Sequence, residues 1–230
     1  EYSRAAEEAF QSNDINLWLL LRDELLKFAK PRRKDVNELG ALKYIDGDIG
    51  VRWIKNSIAN GQYERALLQI GQFRNLCSDL LEEGSFAALS LKVWESWSLI
   101  YSGMEFERAE SILQDVLSSL DHLSDQFEPE FDKWRLKLLM AYAQDITGYL
   151  YRSRGDFAKA VEYYRKNIRL WRELRVESEH ANTLNNLSWS LAEIGDFQAA
   201  MSHCDDGLDL RRKLGHRYAI ALSLTTFGLI

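Results

Sequence analysis

Arg154–Ala160 reads RGDFAKA, and Ile194–Ala200 reads IGDFQAA. The glycines at 155 and 195 lie 40 residues apart. A near-identical phrase returning at a period of roughly 20 to 50 residues marks a stacked array of one supersecondary unit. The flanks repeat as well: TGYLYRSRGDFAKAVEYYRKNIRLWREL aligns on LSWSLAEIGDFQAAMSHCDDGLDLRRKL without a gap. Two looser copies precede them, NGQYERA at Asn60–Ala66 and GMEFERA at Gly103–Ala109. The alanines at 66, 109, 160 and 200 are separated by 43, 51 and 40 residues. Gly148, Ser188 and Gly228 continue the 40-residue spacing, so TTFGLI begins a further copy.

The repeated unit is helical. Ala160, Tyr163, Tyr164, Ile168 and Trp171 recur at intervals of three and four, the apolar stripe of a helix. Only two prolines, Pro31 and Pro129, interrupt 230 residues, and no alternating β-branched run suggests a strand. Pro129 in DQFEPEFDKW suits the first position of a helix, with Glu130 and Asp132 favourable in its first turn. That helix is expected to run to about Arg154, which accounts for the longer step of 51. AKPRRKD, from Ala29, and YIDGDIG, up to Gly50, read as interhelical breaks.

These residues resemble the tetratricopeptide repeat, over 141–230 most clearly, then over 48–123, with only SNDINLW suggesting a degenerate turn in 1–47. In the copy at 141–176, Gly148 holds the small position where two helices touch, Tyr151 follows, Gly155 turns the chain, Ala160 allows close approach, and Tyr164 fills the gap between neighbours. In the next copy Ser188, Leu191, Gly195, Ala200 and Cys204 hold those places. The family repeat is about 34 residues long and closes on a Pro. Here no Pro closes it, and the stripe continues through Leu170 and Leu174, and through Leu210 and Leu214, before Gly215. Extended repeats of this kind are similar to those of kinesin light chains and of the sensor arms of STAND-type signalling NTPases.

The fold expected is all-α, an α-α superhelix of about five helical hairpins plus a truncated final helix. It is expected as a single domain: 1–47 degenerate, 48–123 divergent repeats, 141–216 two clear repeats, and 217–230 the first helix of another. The resemblance implies a concave groove lined by first helices, which receives a peptide or partner protein. Counted from Gly148, the groove positions are Tyr142, Asp145, Tyr149 and Arg152, then Asn182, Asn185, Trp189 and Ala192, with Glu193 beside the last. Asn186 sits where family members use an amide, which donates and accepts at once, on a bound peptide. Its alternative role is to tie two helices together. Trp189 is either a binding anchor or packs on the adjacent first helix. Trp171, replaced by Arg211 in the next copy, reads as convex-side packing between second helices, and Trp53, Trp94, Trp97 and Trp134 as core.

Other chemistry is sparse. No GxxxxGK[ST] phosphate loop occurs. IDGD at Ile45–Asp48 opens like a calcium loop, but its twelfth position is Ser57 rather than Glu. Adjacent His203 and Cys204 fall on different helix faces, which argues against a zinc site with His216, and Cys204 belongs to the core. KPRRK at Lys30–Lys34 lacks interleaved aromatics in a chain of net charge −6, which disfavours nucleic acid. LWLLL at Leu17–Leu21 is too short to span a bilayer. Two distant cysteines suit a reducing compartment, so a cytoplasmic protein is expected.

The expectation is a non-catalytic scaffold for protein-protein interaction, without metal or cofactor. Both ends read as cuts in a longer protein, so the sensor arm of a signalling NTPase or transcriptional regulator is the alternative. An enzyme with a groove site has no assembled nucleophile and base to support it. Self-association through the apolar face of the helix at 217–230 is expected.

Overall fold

The computed structural model describes residues 54–76, 84–103, 105–124 and 130–230, with a few single residues besides. The expectations for residues 1–47, for IDGD, and for Trp53, Cys77 and Pro129 fall outside the described residues. Eight helices are described in full: α1 (Tyr63–Leu76), α2 (Phe86–Tyr101), α3 (Phe106–Ser124), α4 (Glu130–Ser153), α5 (Phe157–Leu174), α6 (Glu177–Glu193), α7 (Phe197–Leu214) and α8 (Arg217–Leu229). No strand occurs among the described residues.

The chain divides into two compact units between Glu105 and Phe106. In the first, α1 packs on α2. Ser85 caps α2 by accepting from the Ala88 amide at 3.2 Å. Arg74 reaches across to the buried carboxylate of Glu95 in a two-pronged ion pair. Trp94 is buried, and Trp97 stacks on Tyr101 with centroids 5.0 Å apart.

In the second unit, each helix from α4 to α8 packs on the one before it, and first helices α4, α6 and α8 also touch in turn. The repeated phrase builds the hairpins. Gly155 and Gly195 have φ of +80° and +83°, the left-handed region that a side chain disfavours. Gly61 and Gly103, in the two looser copies, share it. The amides of Gly155 and Asp156 donate to the carbonyls of Arg152 and Tyr151, and those of Gly195 and Asp196 to Ala192 and Leu191. This closes the first helix in a Schellman motif. The Asp side chain then accepts from the amide three residues on, Lys159 or Ala199, each at 3.2 Å. One Gly-Asp pair therefore ends one helix and caps the next. The same closure ends the second helices at Arg175 and Gly215, and Arg175 holds the left-handed conformation (φ 56°) without being a glycine.

Packing follows from small residues at the crossings. A Cβ on Gly148 would lie 2.6 Å from Tyr164 Cε1, and Tyr164 is fully buried. One repeat later the pair is Ser188 and Cys204, both buried: a larger residue on one side and a smaller one on the other. Tyr164 joins Tyr151, Ala160 and Val161 to Leu187, Leu191 and Ala200 of the next hairpin.

Two expectations are corrected. Trp134 is exposed rather than core. Helix α5 ends at Leu174, which packs with Leu138 on α4, and Trp134 lies a further turn out. Trp171 is buried, but it packs on α4 rather than between second helices: it meets Tyr142 edge-on at 5.2 Å, beside Ala141.

Gly148→Ala should overpack this crossing and destabilise the protein by about 2 kcal/mol. Adding Tyr164→Cys, the partner found at the equivalent crossing, should recover part of that loss. Urea unfolding of the single and double variants measures the coupling; strictly additive losses would contradict the packing account.

Candidate functional site

The expected groove residues separate into an exposed cluster and a buried network. In the cluster, the Arg152 guanidinium of α4 lies over the rings of Tyr149, at 4.7 Å, and Trp189 of α6, at 5.0 Å. Its Nη1 donates to Asn186 Oδ1 at 3.1 Å. Trp189 Nε1 donates to Glu193 Oε1 one turn on, at 2.9 Å. Trp189 is 39% exposed, so it is held in place without being covered. Asn186 bridges two first helices, the alternative role set out for it above. The result is a partly exposed aromatic-cation-aromatic stack with an amide below it and a carboxylate beside it. Stacking of this kind orients a guanidinium while leaving donors for another partner.

Asp145 and Asn185 are not groove residues. They are only 8% and 6% exposed and face neighbouring helices. Asp145 Oδ1 accepts from Asn167 Nδ2 of α5 at 3.1 Å and from Thr183 Oγ1 of α6 at 2.9 Å. Burial pushes its carboxyl up to about 7; nearby Glu179 adds to the rise, while Arg152 and the two hydrogen bonds oppose it. Tyr142 is half-buried against Trp171, and burial, then Glu179 and Asp145, push its phenol upward.

The Asn185 network is centred on Arg211, the counterpart of Trp171 one repeat on. Arg211 is buried. Its Nη1 donates to Asn185 Oδ1 at 3.3 Å, the Ala219 carbonyl at 2.7 Å and Ser223 Oγ at 2.6 Å. Its Nη2 donates to Asn182 Oδ1 at 2.9 Å, and the Asn182 amide donates to Glu179 at 3.1 Å. Burial lowers the guanidinium pKa. The 40-residue register held the signal. Asp145 pairs with Asn185 and Trp171 with Arg211, so one repeat buries a carboxyl on its first helix and the next a guanidinium on its second.

Cys204 is buried, its thiol donates to the Ser223 carbonyl at 3.5 Å, and burial raises its pKa. Among the described residues no group of three or more His, Cys, Asp or Glu could hold a metal ion, and no helix is long and apolar enough to cross a membrane.

A carboxyl whose folded pKa lies above its unfolded value of 3.8 binds its proton more tightly in the native state. Stability should therefore fall as pH rises from about 4 to about 7. Asp145→Asn, the residue of the next repeat, keeps an acceptor for Asn167 and Thr183 and should flatten that slope. Chemical unfolding of both proteins from pH 4 to pH 8 checks it.

Residues 141–227 match the family model described as tetratricopeptide repeat. No curated protein matches the chain. The crystal structure of BtubC (BKLC) from P. vanneervenii is similar over 94% of this chain and 90% of that one, at a TM-score of 0.57 and 19% identity. A variant of a Podosopora anserina protein, described as a kinesin light chain with nearly identical TPR-like repeats, is similar over 93% and 94%, at a TM-score of 0.50 and 14% identity. At these identities the likeness shows the fold. Residues 141–227 thus resemble tetratricopeptide repeats, and the chain shares the helical-repeat fold of these structures.

Proposed function

We propose that the chain is a non-catalytic protein-interaction scaffold. Its ligand is a peptide or protein segment laid across the exposed face of α4 and α6, with Trp189 as the apolar anchor. The observation that carries this reading is the stack of Tyr149, Arg152 and Trp189 over Asn186. A large aromatic side chain fixed before binding loses little rotamer freedom on binding, and Trp, Tyr and Arg dominate interface energetics. Glu193, tied to the Trp189 ring nitrogen, adds a negative rim beside the cation. We place the protein in the cytoplasm, consistent with its two widely separated cysteines.

Peptides selected against the chain from a random library supply the ligand for the test. Replacing Asn186 and Trp189 together by Ala should weaken binding about tenfold or more, measured by fluorescence anisotropy. A folded double variant with unchanged affinity would remove the face from the reading.

We further propose that copies of the chain associate through the outer face of α8. Tyr218 is 82% exposed, and Leu222, one turn on, stands out beside it. Such faces in repeat stacks are usually covered. Sedimentation velocity should show a concentration-dependent rise in mass that Tyr218→Glu with Leu222→Glu removes; a monomer at every concentration would contradict it.

A further inference from the structure

Helices α3 and α5 both pack on α4 and leave a cleft of about 460 Å³ between them. Leu120 and Leu136 are buried at its floor, and Met140 and Leu170 are half-buried. The lining residues of α4, Lys133, Lys137, Met140 and Gln144, recur at four, three and four and so share one face. Tyr142 and Tyr149 lie about half a turn around the helix from them. The cleft is therefore separate from the stack on Arg152.

Its rim is basic in an acidic chain. Four cations, Lys133, Lys137, Lys166 and Arg169, meet two carboxylates, Asp121 and Glu173. Lys137 is engaged with Glu173 at 2.9 Å. Lys166 lies over the Tyr163 ring, and among the described residues neither it nor Arg169 has a carboxylate in ion-pair contact. They sit three residues apart on α5, on the side of Leu170 and the cleft.

The repeat itself does not require this charge. Shifted by 40 residues, Lys137, Lys166 and Arg169 become Glu177, Asp206 and Asp209. Leu170 becomes Leu210, so the apolar residue persists while all three cations change sign. Lys133 and Leu136 have no counterpart in α6, because α4 begins about two turns earlier in the register. The cleft is thus a local construction made by one lengthened helix and one basic second helix.

We propose that this cleft binds a small anionic amphiphile, with its carboxylate-type head on Lys166 and Arg169 and its apolar tail over Met140, Leu136 and Leu120. The volume falls in the range of small-molecule sites, roughly 300–1,000 Å³. The lining runs along α4 from Lys133 to Gln144, or about 16 Å, which suits an elongated tail. An apolar floor supplies affinity by burial, and the excess of cations selects the sign of the head.

The test is isothermal titration calorimetry of the whole chain with dodecanoate and with dodecylamine, each below its micelle concentration, at low ionic strength. Expected are one dodecanoate per chain and at least tenfold weaker binding of dodecylamine. Lys166→Glu with Arg169→Glu, both exposed positions, should weaken dodecanoate at least tenfold, whereas Asp206→Lys with Asp209→Lys should leave it unchanged. Met140→Trp, which fills the cleft, should abolish binding in a variant that melts as the parent does. Absence of dodecanoate binding, equal binding of the amine, or a folded Lys166→Glu, Arg169→Glu variant that binds as the parent does would each overturn the proposal.

Discussion

The structure depends on how closely two helices cross at Gly148. One missing methyl lets α4 lie against the ring of Tyr164, close enough that an added Cβ would sit 2.6 Å from it. Tyr164 is fully buried and has nowhere to retreat. That closeness makes the hairpin a rigid pair, and the pair then offers Tyr151, Val161 and Tyr164 as one surface to Leu187 and Leu191 of the next. Because α4 and α6 are drawn together this way, Arg152 can reach Asn186 and lie over Trp189. The exposed stack is a product of the buried crossing.

The turns and the helix order were legible because they depend on local chemistry. The left-handed backbone at 155 and 195 favours glycine, and the helix crossings at 160 and 200 recur with a small alanine in each copy. Asp156 and Asp196, between the glycine and the aromatic, carry the next helix start through a capping contact that is equally local. Of the residues expected in a groove, Tyr149, Arg152, Asn186, Trp189 and Glu193 come together in one cluster. Asp145 and Asn185 were misplaced because a polar residue on a repeat helix is ordinarily solvated, and these two have partners supplied by other helices. Those partners lie 22 to 38 residues away, beyond what periodicity within one helix reports.

Lengthening α4 has opposite effects at its two faces. On one, it adds Lys133 and Leu136 to a cleft that the shorter α6 lacks the residues to make. On another, it carries Trp134 past the end of α5 and into solvent. The face bearing Tyr149 and Arg152 is left to the regular part of the repeat. A single helix can therefore carry one surface set by the repeat and another set by its departure from the repeat.

The hydroxyl at position 183 and its counterpart at 223 have a consequence of their own. Thr183 donates to the Asp145 carboxylate, and Ser223 accepts from the Arg211 guanidinium. A hydroxyl rotates to serve either polarity, whereas an amide N–H or a carbonyl serves only one. The same hairpin joint therefore houses a buried carboxyl in one repeat and a buried guanidinium in the next. The hydroxyl works as a reversible socket, and the formal charge plugged into each hairpin joint becomes a variable that the fold leaves free.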